Sequence, residues 1–491
     1  MGTKSPFFSI VIPTRNRHET LPYTIKTILK QSFTDYELII CDNNSSEHTR
    51  EIVHSFNHPS IKYIRSDTSL AMVQNWELAV SHAKGRYVTV VADNDGFIDG
   101  SLQFLYTLLE YNYFPNIVRW EKNLYQWPDI EAENRNTMLL NTRISLKQLS
   151  SEKIIQKVLD GVTKFQNLPM IYNSVISMEL IVKLKGITGK VFNSRSPDLY
   201  SGFAFAYLNK SYLSLSLPIT IGANSSKSNG VSSLKKESPI INEFRELNNA
   251  ANIIRHPKVP FVRAPFIIAP ADSFFRAQED LNIKNSVLNR KKMIKRLLRD
   301  TLIYDEKEIE NFQNEILRTC QDDKKLLEFA QRLLEETSFK IAVEKKPSKP
   351  LMGFNKSALI LDGEKQGIKN IDDVSNFMAH FYDYSLSSVN LPEISKRLQE
   401  IPKDARIAIW GRGESSKNLQ KNIQKYRKDI KIEYIVDSFF EDATCTPKVI
   451  RPHKIKNVKY LIIASMYVQP IKKCLDELHA EKRILLYKFT Q

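Results

Sequence analysis

Apolar runs separated by polar, turn-forming clusters set the rhythm of the amino-terminal part of the chain. Phe7 to Ile12 is continuously apolar and closes at Pro13, the pattern of a strand buried on both faces. Leu21, Ile25, Ile28 and Leu29 then recur at helical spacing and predict a helix ending near Gln31. Tyr36 to Cys41 predicts a second strand that stops at Asp42-Asn43-Asn44-Ser45-Ser46, with a helix beginning around Glu47. Ile61 to Ile64 is a third strand, Met72 to Lys84 a helix capped by Gly85, and Arg86 to Ala92 a fourth strand. Such β-α-β-α-β-α-β alternation predicts a mostly parallel, doubly wound sheet whose carboxyl edge holds the ligand. Three polar loops converge on that edge: Thr14 to Arg17, Asp42 to Ser46, and Asp93 to Asp95.

The last of these loops carries the clearest chemistry. The run Val90-Val91-Ala92 stops abruptly at Asp93-Asn94-Asp95-Gly96, a buried strand ending in two carboxylates and a glycine. Carboxylates at i and i+2 around a bend can hold a hard divalent cation and leave its other positions to water and phosphate oxygens. By itself Asp-x-Asp also describes an ordinary solvated strand-end loop.

Composition changes the picture in two respects. With 491 residues, two or three domains are expected, and 42% apolar with 26% charged residues is ordinary for a globular protein. The formal charge of +16 points to a polyanionic partner, either nucleic acid, an anionic membrane surface or a phosphorylated substrate. Cys41, Cys320, Cys445 and Cys474 are widely spaced and predict neither a disulfide framework nor a zinc site, so a reducing, cytoplasmic setting is expected. The start of the chain lacks a signal-like apolar segment, and no apolar run is long enough to cross a bilayer.

Taken together, FSIVIPTRNRHETL, QSFTDYELIICDNNSSEHT, SLAMVQNWELAVSHAKGRYV and VTVVADNDGF resemble glycosyltransferase family 2, the inverting enzymes of the GT-A fold. Nucleotidylyltransferases use a glycine-rich loop after the first strand, which PTRNR lacks. The resemblance implies a nucleotide-sugar donor, UDP-, GDP- or dTDP-linked, with Asp42 accepting hydrogen bonds from the base and Pro13, Thr14 and Arg15 framing base and ribose. It further implies Asp93 and Asn94 near the donor, Asp95 as ligand to Mn2+ or Mg2+, and a donor contact from Asn75. A catalytic base is expected roughly a hundred residues beyond the metal loop, where Asp198 follows Pro197 at a helix start; Glu179 is the reserve candidate. A capping role for Asp198 is the alternative. Trp120, Tyr125 and Trp127 resemble the family's aromatic acceptor side, and Lys227 lies in a segment resembling the loop that closes over the donor.

Beyond this part the pattern is helical and charged. Residues 1–235 are expected to form the GT-A domain, 236–345 a basic helical region, 346–402 a linker and helical connector, and 403–491 a small Rossmann-like domain. Met293, Ile294, Leu297 and Leu298 give Arg290 to Arg299 an apolar stripe, predicting an amphipathic helix that either packs on its neighbours or makes peripheral contact with the inner face of the cell membrane. Without interleaved aromatics, nucleic acid is not expected as a partner. In the last domain Gly411 and Gly413 form a turn after a strand, and Asp437 ends the next strand, an arrangement that suits nucleotide binding, a homo-oligomer contact or partner docking. The expected activity is transfer of a sugar to a hydroxyl of a bacterial surface glycan or lipid-linked glycan; the alternative is a non-catalytic nucleotide-binding scaffold of a glycan-synthesis complex.

Overall fold

The computed structural model describes residues 5–384 apart from 113, 131–132, 234, 236–237, 342–349, 351, 356–357 and 383; beyond these it describes 401–411, 416–417, 419–420, 423–424, 427–437, 442, 444, 446–451, 454, 460–463 and 483–485. The chain divides into two compact units, residues 1–103 with 116–384, and residues 104–115 with 385–491.

In the first unit the predicted alternation is present. β1 (Phe8–Thr14), α1 (Leu21–Leu29), β2 (Tyr36–Asp42), α2 (Glu47–Ser55), β3 (Ile61–Arg65), α3 (Met72–Ser81) and β4 (Tyr87–Val90) follow in order. β1 to β4 are mutually parallel where they pair, with β1 between β2 and β4. Gly85 turns the chain from α3 into β4 against β1; a Cβ there would lie 2.4 Å from the backbone nitrogen of Ser9, so only glycine permits this approach.

Past β5 (Gly96–Phe97) and α4 (Ser101–Tyr111) the sheet becomes mixed. The strands β6 (Ile117–Trp120), β7 (Asn123–Gln126), β8 (Thr137–Asn141) and β9 (Leu146–Ser150) precede α5 (Ser151–Leu159), β10 (Ser174–Ser177), α6 (Met178–Thr188) and α7 (Pro197–Leu208). β11 (Ser211–Leu215) and β12 (Thr220–Asn224) follow. The main sheet runs β3-β2-β1-β4-β10-β6-β11-β9, with β10 antiparallel to both β4 and β6. This is the doubly wound, mixed α/β sheet the sequence predicts.

The helical region is continuous with this core. α8 (Asn229–Ser232), α9 (Pro239–Ala250), α10 (Pro265–Asp280), α11 (Arg290–Asp300), α12 (Glu306–Thr319) and α13 (Lys324–Glu335) follow β12. Val11, Ile39 and Val90 of the sheet share one apolar cluster with Trp76 of α3, Phe203 of α7, Phe274 of α10, Phe312 of α12 and Leu326 of α13. Along α11 the stripe Met293, Ile294 and Leu297 is buried, while Arg290 pairs with Asp322 at 2.8 Å and Lys292 faces Asp160 at 3.5 Å. The expectation of a membrane-lying helix is thereby corrected, because the stripe that lipid would take is packed against protein. Among the described residues no helix is long and apolar enough to cross a membrane.

Residues expected as linker and connector instead supply structure. β13 (Gly353–Asn355) and β14 (Ala358–Asp362) extend a second sheet, β13-β14-β8-β7-β12-β5. α14 (Ile371–Phe381) packs on α1, where Lys30 Nζ meets Asp372 at 2.5 Å.

In the second unit β15 (Arg406–Trp410), β16 (Lys431–Val436), β17 (Lys448–Ile450), β18 (Tyr460–Ile463) and β19 (Arg483–Leu485) form a parallel sheet in the order β17-β16-β15-β18-β19. Gly411 has φ 124° and donates its N–H to Val436 at 2.9 Å; Asp437 follows β16 and donates to Ile450 at 3.0 Å. Gly413, Cys445 and Cys474 lie outside the described residues.

Candidate functional site

The loops after β1, β2 and β4 meet at the carboxyl edge because their strands are parallel and adjacent. Asn43 N–H donates to Thr14 O at 2.9 Å and Asn16 N–H to Ser45 Oγ at 2.9 Å, stitching the first two loops together. Asn16 and Asn44 hold φ of 53° and 49°, a left-handed conformation that Asn tolerates better than other side chains. Thr14 Oγ1 then donates to Asp93 Oδ2 at 2.8 Å, and Arg17 Nε approaches Asp93 Oδ1 at 3.5 Å. Pro13 is the penultimate residue of β1 and fixes the departure of this loop. Burial pushes the Asp93 carboxyl above its ordinary range, against the opposing pull of Arg17 and Thr14.

Asp42 is fully buried at the end of β2, accepting from Tyr63 Oη at 2.5 Å and from Ser45 N–H at 2.9 Å. Arg15 reaches across the Asp42 loop, donating to Asn43 O at 2.6 Å and pairing with Glu243 of α9 at 2.6 Å. Asn75 is buried against Cys41, accepting from its thiol at 3.3 Å and donating to its carbonyl at 3.4 Å.

Asp95 is also fully buried, and its carboxylate is engaged on both sides. Ala223 N–H donates to Oδ1 at 2.7 Å, and Lys122 Nζ lies 2.5 Å from Oδ2. Lys122, between β6 and β7, places its ammonium 3.3 Å above the Tyr172 ring centroid. Burial pushes the Lys122 ammonium pKa down, with Asp95 and then Asp198 pulling it back up. Tyr172 is pushed well above the usual phenol range by burial and by the charges of Asp95, Asp198 and Asp93. One constellation therefore contains Asp93, Asp95, Lys122, Tyr172 and Asp198.

Asp198 occupies the first turn of α7, after Pro197. Burial raises its pKa, opposed by backbone N–H groups of the helix start and by Lys122. A partly buried carboxylate held above its ordinary range next to a cation has the character of a general base. Glu179 sits in the first turn of α6, which follows β10 where Ser177 pairs with Tyr87 at the start of β4. It is thus at the opposite sheet edge from the Asp93 loop, and the reserve assignment is withdrawn.

Asn94 anchors the neighbouring loop: its Nδ2 donates to Ala223 O at 2.9 Å and Ser228 Oγ at 3.2 Å. Lys227 rides on that loop, with its carbonyl accepting from Arg17 and its ammonium paired with Glu19. The aromatic expectation is corrected in part. Trp120 and Tyr125 are fully buried, donating to Thr220 Oγ1 at 2.8 Å and Asn136 Oδ1 at 3.1 Å, and so present no ring face to a sugar. Trp127 is 5% exposed and donates to Asn94 O at 3.0 Å, which makes it a brace for the Asp-Asn-Asp loop.

The donor types suit a hard divalent cation: Asp95 with Asp93 beside it offers carboxylate oxygens. Among the described residues no cluster of three or more His, Cys, Asp or Glu is assembled for a metal. Lys122 already holds Asp95 Oδ2, so a metal and this ammonium compete for the same oxygen.

Residues 9–159 match the family model described as Glycosyl transferase family 2. Individual relatives are also found. A UDP-Glc:alpha-D-GlcNAc-diphosphoundecaprenol beta-1,3-glucosyltransferase, WfgD of Escherichia coli, is 28% identical over 101 residues, covering 21% of this chain and 40% of its own length. The GalNAc(5)-diNAcBac-PP-undecaprenol beta-1,3-glucosyltransferase of Campylobacter jejuni is 33% identical over 103 residues, 20% of this chain and 33% of that protein. The match thus spans well under half of each of these relatives. Among solved structures, S. aureus TarS 1-349 covers 68% of this chain and 93% of its own at 12% identity, with a TM-score of 0.38.

Proposed function

We propose that this protein is an inverting glycosyltransferase that moves a sugar from a nucleotide-sugar donor to a hydroxyl of a bacterial surface glycan or its lipid-linked precursor. The observation that carries the reading is the grouping of Asp93 and Asp95, at the strand-end edge, with Asp198 of α7 through Lys122. The Glycosyl transferase family 2 match and the relatives' glucosyltransferase descriptions support the same chemistry. Among the described residues Asp198 makes no ion pair, and backbone N–H groups of the helix start hold its carboxylate.

In this reading Asp42 and the Thr14–Arg15 segment receive the nucleoside, and Asp93 the ribose. Asp95, with Asp93 nearby, holds Mn2+ or Mg2+, which when bound supplies positive charge to the departing diphosphate. Arg17 balances Asp93, and Lys122 orients Asp95 while keeping a second positive charge in the cleft. Asp198 accepts the proton of the acceptor hydroxyl as that oxygen attacks the anomeric carbon from the face opposite the diphosphate. The bond to the leaving phosphate oxygen breaks in the same displacement, inverting the centre.

Calorimetric titration of UDP, GDP and dTDP, with and without Mn2+, into wild type and Asp95→Ala tests the donor site. One nucleotide should bind in a metal-dependent way that the variant loses. Asp198→Asn should retain that binding and lose about 10²-fold or more in transfer. Nucleotide binding by none of the three overturns the reading.

A further inference from the structure

A concavity of about 510 Å3 is lined by Arg195, Arg245 and Arg255 together with Phe244 and Phe261. Arg195 donates to Ile253 O at 2.8 Å and Asn249 Oδ1 at 3.2 Å, and Arg255 donates to Pro260 O at 2.7 Å. The Arg255 guanidinium stacks 4.1 Å from the Phe261 ring centroid, and Arg195 approaches the same ring at 5.6 Å. Among the described residues none of these three arginines is ion-paired.

Two acids, Asp272 and Glu308, line the cavity against four arginines, Arg195, Arg245, Arg255 and Arg263, and Asp272 attracts both Arg195 and Arg255. Glu243 pairs with Arg15 at 2.6 Å, Glu308 with Arg263 at 2.6 Å, and Glu315 with Arg318 at 2.9 Å. Asp272 accepts from His256 N–H at 2.6 Å and Ser194 Oγ at 3.2 Å, and faces Arg276 at 3.5 Å. The cavity is therefore left with an excess of positive charge. Burial pulls Arg255 down to about 10; Asp272 and Glu315 oppose the shift, while Arg195 and Arg245 add to it.

We propose that this cavity is an anion site that takes a phosphate or diphosphate group carried by the acceptor. Planar guanidiniums bind phosphate oxygens in pairs, and an anion balances the arginines that the two lining acids leave in excess. The position fits an acceptor: Arg195 and Ser196 line the cavity, and Asp198 follows on the same segment at the start of α7. On the other side Met72 and Asn229 belong to α3 and α8, and α8 adjoins the loop that carries Ser228 and meets Asn94. The role as acceptor site rests on the glycosyltransferase reading; the anion site itself does not.

The test is calorimetry on the full chain in EDTA, with inorganic pyrophosphate and with a short-chain prenyl diphosphate in detergent, comparing wild type, Arg245→Gln and Arg255→Gln. Arg245 is exposed and makes no hydrogen bond among the described residues, so its variant keeps the fold. Each substitution should weaken pyrophosphate binding about 10-fold or more while UDP binding with Mn2+ stays unchanged. Tighter binding of the prenyl compound assigns the group to a lipid-linked acceptor, and equal binding to a soluble phosphorylated one; both support the site. Absence of pyrophosphate binding in wild type, or equal binding in all three proteins, overturns it. A chain that binds pyrophosphate through Arg245 but never binds nucleotide keeps the anion site and loses the donor reading.

Discussion

Replacing Lys122 by methionine separates the two cations that Asp95 can serve. The side chain is 12% exposed and its partner 0%, so solvent screens the pair little. At 2.5 Å and an effective dielectric of about 20, the gross attraction is roughly 7 kcal/mol. Much of that is offset by the cost of burying the ammonium, whereas truncating one partner leaves Asp95 buried and uncompensated. The expected net loss of stability is therefore about 3–5 kcal/mol in metal-free buffer. The same change removes the competitor for Asp95 Oδ2, so Mn2+ should bind Lys122→Met at least about 10-fold more tightly than wild type. Saturating Mn2+ should then restore roughly 1.4 kcal/mol more to the variant than to the parent. Denaturant unfolding with and without Mn2+, paired with direct Mn2+ calorimetry, reads both quantities. Equal Mn2+ affinity in the two proteins would refute the competition, and unchanged metal-free stability would refute the ion pair.

Other predictions follow from the same geometry. Because burial holds Asp198 above its unfolded pKa, its ionisation disfavours the folded state at neutral pH. Asp198→Asn should be more stable than wild type at pH 7, and the advantage should shrink as pH falls through the raised pKa and vanish below the ordinary value near ~3.9, measured by unfolding across pH. In wild type the acid limb of kcat should lie above that ordinary value, and a limb at or below it would count against Asp198 as base. Gly85→Ala forces a Cβ to 2.4 Å from Ser9 N and should cost about 1–3 kcal/mol or more, seen as a lowered denaturation midpoint. Trp120→Ala should cost about 3–5 kcal/mol with acceptor KM unchanged for Trp120→Phe, since the ring is core; a raised KM in the phenylalanine variant would restore it to the acceptor side.

Much of the fold was legible because the sheet is built from patterns that burial enforces locally. FSIVI, YELII and YVTV are buried on both faces, and a run of that kind has few other homes. The parallel strands of the second unit were read from the apolar, β-branched runs RIAIW and KIEYIV, the first buried beyond Arg406 and the second only at Ile435 and Val436, while three-residue β17 fell below what periodicity resolves. β10 was missed as well: SVIS is short, and its antiparallel insertion between β4 and β6 depends on partners far away in sequence. Within the expected linker and helical connector, α14 is a helix, but β13 and β14 were missed for the same physical reason, since β14 is defined by its pairing with β8 over two hundred residues upstream rather than by its own pattern.

At the site, residues that the backbone delivers were legible and residues that side chains deliver were not. Asp93, Asp95 and Asp42 stand at strand ends, where topology alone brings them to one edge. Lys122 sits in a short link between two strands, preceded by Glu121, and its sequence surroundings are those of a solvated turn. Its role follows from a long flexible stem that carries the ammonium past Gly222, whose added Cβ would lie 3.3 Å from Lys122 Cε, to a carboxylate 27 residues earlier. Trp120 and Tyr125 mislead in the opposite direction. Aromatic residues next to a strand end read equally well as platform or core, and the choice is made by Thr220 and Asn136, which satisfy their polar atoms inside the protein. The charge count behaves similarly. An excess of +16 is spread over many solvated lysines, yet the part of it that matters is where neighbouring acids are drawn off to other partners. Glu243 turning to Arg15 rather than Arg245 is such a choice, and it links the charge of the second cavity to the loop that frames the first.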